Sequence, residues 1–145
     1  MTVETKEWTE LDRKGWPSGP WDKEPDRKQW LDQATGFACL IVRGHRGNLC
    51  GYVGVPEGHP AYQRDYNDVS AGVHGGLTYA DHCSGRICHE VDGDDRVWWL
   101  GFDCLHSGDA APKMFFDEPD ARYRDFPYVE SECRKLAEQL HAMTA

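Results

Sequence analysis

The stretch FACLIVRGHRGNLCGYVGV, from Phe37 to Val55, constrains the fold most. Two β-rich runs flank Gly44, His45, Arg46, Gly47 and Asn48, the composition of a hairpin with a loop of about five residues. Pairing Arg43 with Leu49 carries Cys39 opposite Val53, not Cys50. That register argues against a direct Cys39–Cys50 bridge and commits the centre of the chain to an antiparallel sheet.

The flanking segments fit such a sheet. RVWWLGFDC is the strongest strand in the chain, and VHGGLTY predicts another from Val73 to Tyr79. EPDRKQWLDQATG reads as a short N-terminal helix, with Pro25 in its first turn, Gly36 as its stop, and Trp30 and Ala34 on one face. DFPYVESECRKLAEQLHAM predicts a C-terminal helix capped by Asp125, with Pro127 in its first turn. Val129, Cys133, Leu136 and Leu140 form its apolar stripe. PEGHPAYQRDYNDVSAG and SGDAAPKMFFDEPDARY read as long loops, and ADHCSGRICHEVDGDD as a turn-rich excursion. No long crossover helix separates the strands, which excludes a doubly wound parallel sheet. The expectation is an α+β fold: an antiparallel sheet with a β-hairpin core, a short N-terminal helix and a C-terminal helix. Residues 1–21, rich in Gly, Pro and Trp, form an irregular arm, and residues 22–145 a single domain.

Composition limits the function. The 145 residues suit one domain with a real core, and the net charge of -9 repels a phosphate backbone, disfavouring nucleic acid as partner. The N-terminus lacks the apolar segment of a signal peptide, and the longest apolar run, FACLIV, is too short to cross a bilayer. A cytoplasmic location follows as an expectation, with the 6 cysteines as thiols.

Side chains alternate along a strand. Trp98, Leu100, Phe102 and Cys104 therefore face the main core, while Val97, Trp99, Gly101 and Asp103 face the other way. If the VHGGLTY strand is a neighbour, His74, Thr78, Trp99 and Asp103 line one surface, with Gly76 and Gly101 leaving a depression filled by a ligand or by a packed helix. His74, Thr78, Tyr79, Trp99 and Asp103 are the candidate ligand-binding residues. Trp99 would be a stacking platform, and His74 and Asp103 would supply hydrogen bonds.

Three chemistries compete with that binding surface. His82, Cys83, Cys88 and His89 fall in one turn-rich segment and are candidate zinc ligands, although no second C-x-x-C pair completes the pattern. His74, Asp103, His106 and Asp109 are candidate catalytic residues for acid–base or metal-assisted hydrolysis, since a carboxylate beside an imidazole fixes its tautomer. HSGD is equally a good tight-turn sequence, in which Asp109 bonds to backbone. HGG could aim backbone N–H groups at an oxyanion, but no G-x-S-x-G elbow accompanies it, which removes the serine hydrolases. P-loop, Rossmann and H-E-x-x-H motifs are absent too.

Taken together, TGFACLIVRGHRGNLCGYVGVPEGHPAY, VHGGLTYADHC, VWWLGFDCLHSGD and YRDFPYVESECRKLAEQL resemble a family of small proteins encoded by phages, prophages and bacteria. The resemblance spans about Trp30 to Leu140 and rests mostly on the tryptophan pair followed by G-F-D-C-x-H-x-G-D. It implies a cytosolic protein with a role during phage infection. It transfers no catalytic residue, cofactor or reaction. The leading expectation is a binding or interaction protein for a small polar or nucleotide-like ligand or a host protein. A small metal-dependent hydrolase is the alternative.

Overall fold

The computed structural model describes residues 4–91, 95–113 and 120–144. Residues 92–94 of the turn-rich excursion and 114–119 of the last loop lie outside them. Six strands form one antiparallel sheet: β1 (Lys6–Trp8), β2 (Arg27–Leu31), β3 (Ala38–Arg43), β4 (Leu49–Pro56), β5 (Tyr79–Asp81) and β6 (Val97–Asp103). Their spatial order is β1-β2-β3-β4-β6-β5. Two short strands, β7 (Asp109–Ala110) and β8 (Arg122–Tyr123), pair in parallel, and one helix, α1 (Phe126–Ala142), closes the chain.

The central hairpin has the expected register, with Arg43 opposite Leu49 and Cys39 opposite Val53. The alternation in β6 also divides its residues as expected. Leu100, Phe102 and Cys104 enter the main core with Val53, Val55 and the α1 stripe, while Val97 and Trp99 join Leu40, Val42 and Tyr52 on the opposite face. Val129, Cys133, Leu136 and Leu140 are fully buried, and each leucine contributes about 1.5–3 kcal/mol of burial. Close seating of the helix depends on Gly51, where a Cβ would lie 2.5 Å from the Phe102 ring and 2.8 Å from Cys133 Sγ. Asp125 caps α1 by accepting the Tyr128 N–H at 3.0 Å.

Three expectations are corrected. The segment expected as a short N-terminal helix is β2, hydrogen-bonded between β1 and β3. Pro25 and Gly36 bracket a strand and its turn as readily as a helix. Tertiary partners decide the matter: buried Gln29 donates its amide to Glu4 O and Glu90 O and accepts the Glu90 N–H. The first 21 residues are not wholly irregular, because β1 adds an edge strand and Arg13 holds Trp21 O, Glu24 O and the Asp26 carboxylate. Finally, VHGGLTY is a strand only from Tyr79 onward. Val73–Gly76 is a tight turn closed by Gly76 N–H to Val73 O at 2.9 Å, with Gly75 at φ 69°.

Buried polar groups tie the arm to the sheet. Asp26, with no exposed surface, accepts the Glu10 and Leu11 N–H groups and pairs with Arg13 and Arg43. Arg43 is itself buried and donates to Gly47 O, Pro25 O and the Tyr123 hydroxyl. Among the described residues, no helix is long and apolar enough to cross a membrane.

Candidate functional site

The VHGG turn ends against the C-terminal end of β6, and two tight turns interlock there. The first presents His74. The second, His106–Asp109, is closed by Asp109 N–H to His106 O at 2.9 Å, with Gly108 at φ 90°. Gly75 is required for their contact: a Cβ on it would lie 2.3 Å from the His106 ring. HSGD is thus the tight turn its composition suggests, and it also carries the site's side chains.

Asp109 is the hub. Only 1% of its side chain is exposed. Its oxygens receive His74 Nε2 at 3.0 and 2.9 Å, Arg124 Nε at 3.0 Å and the His106 N–H at 3.0 Å. Burial pushes its carboxyl pKa up, but the His106 N–H, His74 and Arg124 outweigh this and hold it below the ordinary carboxylate value. The other ring nitrogen of His74, Nδ1, lies 2.8 Å from the Tyr128 hydroxyl, and the His74 N–H donates to Glu132 Oε1 at 2.8 Å. Burial, then Glu132, raises the Tyr128 pKa, so its phenol is a protonated hydrogen-bonding partner, not a nucleophile.

His106 completes the cluster in a different way. Its Nδ1 lies 3.6 Å from Asp103 Oδ1 and 3.7 Å from Asp109 Oδ2, too far for a hydrogen bond. This nitrogen is buried and has no hydrogen-bond partner. Asp103 in turn accepts the Thr78 hydroxyl at 3.0 Å. The four candidate catalytic residues therefore converge from two segments, His74 from the first turn and Asp103, His106 and Asp109 from the end of β6 and the turn after it, and Thr78 joins them through Asp103. The ligating atoms of His74, His106 and Asp109 all lie within 4.8 Å of one another.

Of the candidate ligand-binding residues, Thr78, Tyr79 and Asp103 line an open hollow of about 420 Å³ together with Tyr52, Asn48 and Cys50. A second hollow of about 430 Å³ shares Gly44, His45, Cys50 and Tyr52 with it and extends to Trp16, Arg86 and Lys113. Asn48 is buried and its Oδ1 accepts no hydrogen bond. Burial pushes the Cys50 thiol up to about 12, so it faces the hollow as a neutral S–H. A third hollow, of about 460 Å³ between Lys28, Trp30 and Arg134, holds none of the candidate residues.

Trp99 does not serve as a platform. It has no exposed surface, donates its indole N–H to Asp95 at 3.2 Å and packs 4.9 Å from the His89 ring. At Gly101 the expected depression is filled: the Tyr52 ring would lie 2.2 Å from a Cβ there. Gly76 belongs to the turn, with open space where a Cβ would stand.

The candidate zinc ligands of the turn-rich excursion are not gathered. Cys83 and Cys88 form a disulfide, brought together by the turn at Gly85 with Cα atoms 4.7 Å apart, which corrects the expectation that all cysteines are thiols. His82 packs edge-on against Trp98 at 4.8 Å, and His89 is buried with Nε2 bonded to Cys39 O at 2.7 Å. The other four cysteines are free, and burial raises all their pKa values.

Sequence reasoning missed Tyr128, Glu132, Arg124 and Asn48. Tyr128 and Glu132 stand four apart on α1, a spacing that places them on one helical face. This was the available signal. No family model, curated protein or solved structure matches the chain.

Proposed function

We propose that this is a small binding protein of phage or prophage type, taking a small polar, nucleotide-like ligand on the sheet face opposite α1. The observation that carries this is the hollow of about 420 Å³ lined by Thr78, Tyr79, Asp103, Tyr52 and the buried Asn48, whose amide oxygen has no hydrogen-bond partner. Its size falls within the range of small-molecule sites, about 300–1,000 Å³. Tyr52 and Tyr79 meet edge-to-face at 5.3 Å and offer aromatic surface to a planar group. Thr78, Asn48 and Asp103 supply donors and acceptors, and the adjoining hollow brings Arg86 and Lys113 within the same groove for a phosphate or carboxylate.

The test is thermal unfolding of the full chain with adenosine and uridine monophosphates, compared with Tyr79→Ala and Asn48→Leu variants. A saturable rise in Tm, following the logarithm of ligand concentration and lost in both variants, is expected. No rise with either nucleotide, or a rise that the variants leave intact, removes the reading. The phage-type role rests on the sequence resemblance alone, and sequestering a nucleotide signal during infection is its most direct form. The hydrolase alternative draws support from the convergence of His74, Asp103, His106 and Asp109, and it would appear as loss of the nucleotide when the same mixtures, with Zn²⁺ added, are analysed by chromatography.

A further inference from the structure

We infer that His74, His106 and Asp109 form a binding site for a divalent transition metal of the zinc class, with Asp103 beside His106. This site goes beyond the ligand hollow: its three ligands lie outside the hollow's lining, which it meets at Asp103.

The argument begins with an unmet need. A buried imidazole nitrogen without a partner costs free energy, and His106 Nδ1 is such an atom. Two carboxylate oxygens lie near it, at 3.6 and 3.7 Å. A hydrogen-bonded cluster would draw them in to about 2.8 Å. Ligands of one metal ion behave differently. Bonds of about 2.0–2.1 Å in a tetrahedral arrangement hold neighbouring ligand atoms about 3.3–3.4 Å apart. The ligand separations of 2.9 Å (His74 Nε2 to Asp109 Oδ2) and 3.7 Å (His106 Nδ1 to Asp109 Oδ2) bracket that value.

The surroundings supply what a metal site requires. A ligating histidine is oriented through its other nitrogen, and His74 Nδ1 faces the Tyr128 hydroxyl at 2.8 Å. A hydroxyl both donates and accepts. With Nε2–H donating to Asp109, Tyr128 donates to Nδ1. With Nε2 on a metal, the ring proton sits on Nδ1 and Tyr128 accepts it, so the change of tautomer needs no net proton. Arg124 holds Asp109 at Oδ1, and Oδ2, which also accepts the His106 N–H, faces both imidazoles. His106 is fixed by its own turn and by the glycine beneath its ring. Two imidazoles and one carboxylate leave a coordination position open, the arrangement of catalytic rather than structural zinc sites. Asp103 Oδ1 lies 3.6 Å from His106 Nδ1 and accepts the Leu105 N–H, and Asp103 Oδ2 accepts the Thr78 hydroxyl.

The experiment is titration of the apo full-length chain with Co²⁺ and Zn²⁺, read by visible absorption and by metal content after dialysis. One equivalent bound, with the d–d bands of tetrahedral cobalt and no thiolate charge-transfer band, is expected. His106→Ala should retain no metal after dialysis. Tyr128→Phe should bind 10–100-fold more weakly, as expected when an orienting partner is lost. Circular dichroism confirms that each variant is folded, and the wild-type spectrum stands whether or not a variant folds. No stoichiometric metal, a thiolate band, or full retention in His106→Ala would each overturn the site.

Discussion

Two charged clusters hold this fold together, and they are built from similar parts. In one, Asp26 is surrounded by two backbone N–H groups, Arg13 and Arg43. In the other, Asp109 is surrounded by a backbone N–H group, His74 and Arg124. Both carboxylates are buried, and both are held below their ordinary pKa by their partners against the pull of burial. The difference lies in what surrounds them. Asp26 sits wholly inside the seam between arm and sheet. Asp109 sits beside a third-exposed imidazole whose inner nitrogen has no partner, next to an Asp103 that reaches an open hollow. A closed cluster stabilises, whereas a cluster left incomplete next to solvent can take up something more.

The largest effect should come from breaking the closed cluster. Asp26→Ala leaves Arg43 buried and short of a partner and should cost about 3–5 kcal/mol in chemical denaturation, without weakening metal binding in the folded fraction. The same cluster sets an acid limit. Because the folded-state pKa of Asp26 is depressed, its contribution is complete above the unfolded-state value of about 3.9. It is lost as pH falls through the lower folded-state value. Equilibrium unfolding measured down through pH 4 should show a decline that Asp26→Asn flattens.

Gly75→Ala comes next. An L-residue at φ 69° is strained by about 1–2 kcal/mol, and its methyl would collide with the His106 ring. In a His106→Ala background the collision disappears, so a double-mutant cycle should give a coupling of about 0.5–3 kcal/mol. Additive costs would show that the two turns do not interlock. His106→Ala alone should leave the chain folded, because the His106 ring makes no hydrogen bond among the described residues, while abolishing metal binding. The smallest effect belongs to the Cys83–Cys88 pair: a phosphine reductant should leave metal stoichiometry unchanged.

What the sequence revealed followed the range of the interactions. The register of β3 and β4 was legible because a five-residue loop fixes it locally. Helix α1 was legible from its cap and stripe, and the two faces of β6 from simple alternation. The convergence of His74, Asp103, His106 and Asp109 could be guessed because three of them sit at one strand end. β2 was misread because its identity depends on partners such as Glu90, 61 residues from Gln29. Trp99 was misassigned because alternation gives a face but not whether that face is covered. The segment densest in metal-binding residue types gathers none of its histidines around its cysteines. The sparser set converges because two glycine turns bring it together.

The most direct measurement is anomalous diffraction at the zinc edge from crystals of the full chain grown with one equivalent of Zn²⁺. The account predicts a single strong peak between His74 Nε2, His106 Nδ1 and Asp109. A peak on Cys83 and Cys88, or no peak and a His106 ring turned out to solvent, would contradict it.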